Sequence, residues 1–276
     1  MIKDIVLNLS AKKSGSRAIE YAVSMASTLE AHIAGIAFVY DPFDLVSHLG
    51  YIATDVVQEQ WRDYKAEAQA ALDRFSQLAS RAGVSAEPMM LRASFASVGD
   101  RFGEIARRFD LSVVDQVNSE SNTTEGAIIE GALFDSGRPV IIVPYVHRAP
   151  LKFDHVMISW DGSRPAARAI ADSMPLLKRA EHIEVVIVGN ERGKQDEVEG
   201  ADIGRHLARH GLNIGVQRIS HDKIDIADAL LSHAADSNAD LIVMGGYGHS
   251  RVREFVLGGV TQSTLHSMTV PVLMSH

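Results

Sequence analysis

Apolar residues along this chain fall into short runs separated by stretches of helical periodicity. In the second half, runs near 155–160, 182–188, 213–219, 240–244 and 271–275 read as strands. Between them, stretches near 164–179, 197–210, 223–237 and 258–267 place apolar side chains on one helical face. The strand runs are apolar on both faces, the pattern of a parallel sheet with helices packed on either side. Regular strand–helix alternation implies right-handed crossovers and an α/β fold.

The first half repeats this plan. Ile5-Val6-Leu7-Asn8-Leu9 answers His155-Val156-Met157-Ile158-Ser159-Trp160, and Arg17-Ala18-Ile19 answers Arg168-Ala169-Ile170. Farther on, Asp110-Leu111-Ser112-Val113-Val114 answers Asp240-Leu241-Ile242-Val243-Met244. Arg138-Pro139-Val140-Ile141-Ile142-Val143 answers Val270-Pro271-Val272-Leu273-Met274. The first copy carries about 20 additional residues in its middle, centred on 41–65 and rich in aromatics, which suits a covering arm. Residues 145–150 are the natural linker. The expected architecture is therefore two tandem domains, 1–148 and 149–276. Each is a doubly wound, Rossmann-like parallel sheet of five strands in the order 3-2-1-4-5.

Composition narrows the partners. Of 276 residues, 46% are hydrophobic, enough for sizeable cores. Lys and Arg number 27 against 35 Asp and Glu, a net charge of −8. That balance argues against nucleic acid, whose phosphates need a basic surface, and against an anionic membrane. The chain has no cysteine, which excludes disulfides, thiolate metal sites and a cysteine nucleophile. No apolar run reaches the ~18–20 residues of a membrane span, and the first residues lack a signal-peptide core. A cytoplasmic location is expected.

Candidate chemistry gathers after one strand. Leu241-Ile242-Val243-Met244 runs into Gly245-Gly246-Tyr247-Gly248, then nine residues, then Gly258-Gly259-Val260-Thr261 and a helix. Ligands of open α/β sheets sit at the carboxyl ends of strands. Glycines let backbone approach a phosphate, and amides at the next helix start can hold it. The same glycines also suit plain tight turns. No Gly-Lys-Ser/Thr of a Walker loop is present, and the third glycine of a dinucleotide fingerprint is missing. Asp161-Gly162-Ser163 follows the strand ending at Trp160. If first and fourth strands are neighbours, Asp161 lies beside Gly245 and can accept hydrogen bonds from a ribose or an adenine amino group. Alternatively, Asp161 or Ser163 caps the following helix. Both readings remain open at this point.

The spacing Gly245-x2-Gly248-x9-Gly258, the closing Val270-Pro271-Val272 strand and the Asp161-Gly162-Ser163 opening together resemble the universal stress protein family. The resemblance is strong in the second half and weak in the first, so the chain is similar to a tandem member. It implies that Asp161 contacts ribose and adenine, that Val188 and Gly189 line the adenine pocket, and that Gly245 and Gly248 approach ribose and phosphates. Gly258, with the amides of Gly259, Val260 and Thr261, would hold the phosphates. ATP-binding relatives carry Ser or Thr directly after the last motif glycine, where this chain has Gly259. One lost hydroxyl bond to a charged group costs about 1.5–3 kcal/mol. Thr261, Arg251 and Arg253 are the nearby alternatives. The first half has Ser10-Ala11-Lys12-Lys13 after its opening strand and Asp115-Gln116-Val117-Asn118-Ser119-Glu120 after its fourth. Asp115 and Glu120 would repel phosphate, and Gly126 and Gly131 lack the motif spacing. That half is expected to have lost ATP binding.

The resemblance thus implies a stress-response regulator or sensor. It would bind ATP or AMP, with or without Mg, in its second half. Hydrolysis would be slight or nil, because no carboxylate pair for a metal and no water-positioning group stand out. The alternatives are a nucleotide-free scaffold and an adenine-nucleotide-dependent enzyme. The absence of a Ser-Gly-Gly-x-Asp-Ser pyrophosphate loop counts against the enzyme. The two halves would pair as an intramolecular pseudo-dimer through their last strands, near 139–144 and 271–275, and two chains would pair as a homodimer. His206 and His210 share a helical face without the Glu of a zinc-protease motif, which suits a solvated face. Tyr51, Trp61 and Tyr64 suit packing of the arm, an interface or the lining of a pocket, with packing the simplest of the three.

Overall fold

A computed structural model describes residues 1–10, 17–40, 54–117, 124–189, 201–220, 224–246 and 259–276. Gly248, Gly258, Arg251, Arg253, Glu120 and Tyr51 lie outside these described residues, as does the arm between 41 and 53. In the first repeat the order is β1 (Asp4–Asn8), α1 (Arg17–Leu29), β2 (His32–Tyr40), α2 (Thr54–Arg81), β3 (Ala86–Ala93), α3 (Val98–Ala106), β4 (Leu111–Asp115), α4 (Thr124–Glu130) and β5 (Val140–Val143). A single π-helical turn, Gly131–Asp135, prolongs α4. The second repeat is β6 (His155–Ser159), α5 (Arg164–Leu177), β7 (His182–Val188), α6 (Ala201–Arg209), β8 (Ile214–Ile219), α7 (Ile226–Asp236), β9 (Leu241–Gly245), α8 (Gly259–Ser267) and β10 (Val272–Ser275).

The chain divides into two compact units. One comprises Ile2–Asp115 and Glu120–Arg138, and the other comprises Met1, Gln116–Ser119 and Pro139–His276. In the first unit the strand order is β3-β2-β1-β4, and in the second β8-β7-β6-β9-β10, with β5 beyond β10. Every pairing among the repeat's own strands is parallel, and the order is the expected 3-2-1-4-5. The central strands are buried on both faces, with Ile5, Val6, Leu7, Val156 and Val243 fully enclosed. The edge strands β3 and β8 depart from that pattern, because each has a neighbour on one side only.

The duplication holds down to the register. Ile5 pairs with Leu111 and Leu7 with Val113, while Val156 pairs with Leu241 and Ile158 with Val243. The aspartate before each fourth strand clamps the start of the first. Asp110 Oδ2 accepts from the Lys3 and Asp4 amides, and Asp240 Oδ2 accepts from the His155 amide at 2.9 Å. Each carboxylate thus satisfies backbone donors at a strand end that has no further ladder partner.

Glycines set the closest approaches. A side chain at Gly35 in β2 would meet the Phe75 ring at 2.7 Å. Phe75 lies on the buried stripe of α2 with Ala68, Ala71, Leu72 and Ala79. On α3, Gly99 and Gly103 face the carbonyls of Ala127 and Gly131, so these helices cross at backbone contact. Gly131 is thereby a packing residue.

In the second unit β5 pairs antiparallel with β10, with Ile141 opposite Leu273. Gln116 sits beside this pair, 4% exposed. Its Nε2 donates to the carbonyls of Leu265 (2.9 Å) and His266 (3.0 Å), and its Oε1 accepts from the Tyr145 amide at 3.2 Å. It therefore closes the carboxyl end of α8, whose last carbonyls have no helical partner. Gln116→Ala should lower stability by about 1–3 kcal/mol, the cost of leaving buried polar groups unmet. The change would be read as a lower midpoint of urea unfolding at unchanged slope.

Candidate functional site

In the second repeat, the chain winds from β6 through β7 to β8 on one side of the sheet, then returns through β9 to β10 on the other. The order reverses between β6 and β9, and crevices at such points lie outside the carboxyl strand ends. Trp160, Val188 and Gly245 occupy those ends.

The chain leaves β6 through a tight turn. The Trp160 amide still donates to Val186 O at 2.9 Å. Asp161 Oδ1 then accepts from the Ser163 amide at 2.9 Å, and Gly162 has φ +74, in the left-handed region that favours glycine. Ser163 Oγ accepts from the Ala166 amide at 3.2 Å, so Ser163 is the N-cap of α5, with Pro165 in the first turn. The two sequence readings therefore separate. Capping belongs to Ser163, while Asp161 shapes the turn and stays exposed at the strand ends.

Gly245 ends β9 against the first turn of α5. A Cβ there would collide with the Ala166 nitrogen and stand 2.7 Å from the Pro165 carbonyl carbon. The glycine is needed for that approach, whatever else the site does. Gly246 is buried and committed to β10: its amide donates to Ser275 O at 2.9 Å, and its carbonyl accepts from His276 Nδ1 at 3.0 Å. Val188 is half-buried, and Gly189 is exposed with its amide donating to Ile219 O at 3.1 Å. Gly259 begins α8, exposed and with open space where a side chain would be. Val260 is half-buried, and Thr261 is 4% exposed. The parallel ladders bring Asp161, Val188, Gly189 and Gly245 to one sheet edge. Gly259, Val260 and Thr261 sit on the helix between β9 and β10.

Residues 152–276 match the family model described as the universal stress protein family. The match spans the second repeat, just under half of the chain. A curated universal stress protein of Synechocystis sp. is 25% identical over 203 residues, covering 70% of this chain and 66% of that protein, just under two thirds of its length. A universal stress protein structure from Archaeoglobus fulgidus matches with a TM-score of 0.71 at 18% identity, over 98% of this chain and 94% of the other. A functionally unknown Pseudomonas aeruginosa protein matches with a TM-score of 0.62 at 14% identity, over 99% and 92%. At these identities the structural matches establish the shared fold.

The same edge of the first repeat is built differently. Asp115 ends β4 at the register position of Gly245, and its Oδ1 accepts from the Ala18 amide in the first turn of α1 at 3.1 Å. A cleft of about 340 Å³ lies at the ends of β1 and β2. Its wall is aromatic: Tyr40 stacks on Phe95 with centroids 4.5 Å apart, and Tyr64 meets both edge-on at 5.9 and 6.2 Å. Burial pushes the Tyr40 phenol up to about 12, against a hydrogen bond with Thr124 that pulls it down. Sequence reasoning found Tyr64 but missed Tyr40 and Phe95. The available signal was position: one ends β2 and the other follows β3, so adjacent strands carry aromatics at the same end.

Elsewhere, the His206 and His210 rings lie 4.9 Å apart on an exposed face of α6. Among the described residues no three potential ligands gather for a metal, and no helix is long and apolar enough to cross a membrane.

Two outcomes follow from this geometry. Gly245→Ala should cost about 1–3 kcal/mol through overpacking against α5, whereas Gly189→Ala and Gly259→Ala, with open space, should shift stability by no more than about 0.5 kcal/mol. Thermal unfolding of the three variants checks this. For Tyr40, the folded-state pKa lies above the ordinary 10.0. The unfolded chain loses that proton first, so stability should hold below pH ~10 and fall as pH rises toward ~12. Tyr40→Phe should make that alkaline fall shallower in urea titrations across the range.

Proposed function

We propose that the second repeat binds an adenine nucleotide, ATP or AMP, and that the protein serves as a regulator or sensor in stress responses with little or no hydrolysis. The observation that carries this reading is the convergence of Asp161, Val188, Gly189 and Gly245 on the edge where the strand order reverses. An exposed carboxylate there suits a ribose or an adenine amino group. The open β7 end suits a planar base, and the start of α8 suits phosphate oxygens through its amides. Mg, where present, would enter with the phosphates. The family match of this half supports the same reading.

Further parts of the reading rest on composition and repetition. The repeats support domains at 1–148 and 149–276. The antiparallel β5–β10 pair supports an intramolecular pseudo-dimer, with a homodimer of whole chains as its extension. The cysteine-free composition suits a reducing, cytoplasmic setting.

Because Gly245 is fixed by packing, its replacement does not test binding cleanly; Gly259 and Asp161 do. Calorimetric titration with ATP should give a measurable affinity that Asp161→Ala weakens about tenfold or more. Gly259→Ser, which enters open space and supplies a hydroxyl donor, should tighten it by at least about tenfold, as a bond to a charged group is worth about 1.5–3 kcal/mol. Chromatography of the nucleotide released from the purified protein identifies the species held. ATP and AMP binding undetectable in both wild type and Gly259→Ser would leave the nucleotide-free scaffold as the better reading.

A further inference from the structure

We propose that the cleft of the first repeat binds a small organic cation, an amine or quaternary ammonium with an apolar body. The cleft has the volume of a small-molecule site, about 340 Å³, at the strand ends where this fold accepts ligands. Its lining disfavours an anion of the kind proposed for the second repeat. Among the described residues that line it, the charged side chains are Glu67 and Glu125, both carboxylates. Asp115 adds a third at the same sheet edge and already occupies the Ala18 amide that a phosphate would seek.

The aromatic wall gives the cation a second attraction. Cations are held over ring faces by the ring quadrupole, the more strongly as water is excluded. Tyr40, Tyr64 and Phe95 line the cleft together and offer it neutral ring faces. Glu67 and Glu125 line the same cleft as the rings. Among the described residues, Lys65 and Arg92 each lie 5.4 Å from the Trp61 ring centre, and neither lines the cleft. Asn8, 5% exposed, and the Thr124 hydroxyl supply a polar floor for an ammonium N–H or a ligand hydroxyl.

The test uses the full chain with three probes of one shape class: benzyltrimethylammonium, its neutral carbon isostere and benzoate. Calorimetry, with ligand-observed NMR for the weaker probes, should rank the cation at least about tenfold tighter than the neutral isostere, with benzoate undetected. The double variant Glu67→Gln, Glu125→Gln should lose that preference with its melting temperature within a degree or two. A control with the same change of net charge, Glu20→Gln with Glu104→Gln at exposed helix positions, should keep the preference. Phe95→Ala should weaken the cation and the neutral isostere alike. The proposal is overturned by equal or tighter binding of the isostere, by a preference that survives in the double variant, or by no detectable binding of the cation.

Discussion

The strand-end position that closes the fourth strand of each repeat governs what the fold can hold. The helix that follows the opening strand begins with amides that lack helical partners and must be met by something. In the first repeat Asp115 meets one of them from across the sheet. In the second, Gly245 has no side chain to offer, and Ser163 meets the Ala166 amide from within the turn. A carboxylate at that position brings negative charge to the edge and fills the space over the helix start. A glycine lets the helix press against the strand and adds no charge of its own. The two copies thus differ at one register position both in the charge it brings and in how the helix start is met.

The architecture was legible because it rests on patterns that repeat. Apolar runs marked the strands of the second half to within a residue or two, and matched landmarks revealed the duplication. Asp110 and Asp240 were visible as aligned residues, but their service as clamps on the opening strand was not, since that needs the spatial neighbour 85 residues away in one case and 106 in the other. Glycines were the least legible. Gly245 and Gly246 read as one phosphate-binding cluster, yet Gly245 is fixed by contact with α5 and Gly246 by its bonds to β10. Gly131 read as a remnant of a motif and is a helix-crossing contact. A glycine records only that something comes close; the sequence does not say whether that is a ligand or the protein's own backbone.

The first-repeat cleft was illegible for a different reason. Its residues come from β1, β2, α2, the segment after β3 and α4, and no local pattern links them. Tyr64 lies on a helix whose periodicity explains its neighbours without it. Asp115 was legible as a carboxylate at the end of β4, while its partner at Ala18 emerged only from the fold.

Duplication explains why such divergence costs the fold little. The two copies keep the same first-to-fourth strand register and the same aspartate clamp at the amino ends of their strands. Those features satisfy backbone groups wherever the sheet begins, so each copy depends on them. At the carboxyl ends the helix-start amides are met differently in each copy, by Asp115 in one and Ser163 in the other. Asn8, Phe38 and Asp115 stand where Ser159, Val188 and Gly245 stand in the other copy, and the ladder beneath keeps its register. The amino ends thus carry constraints common to both copies, while the carboxyl ends carry constraints that differ, Asp115 on the Ala18 amide in one and Gly245 against α5 in the other.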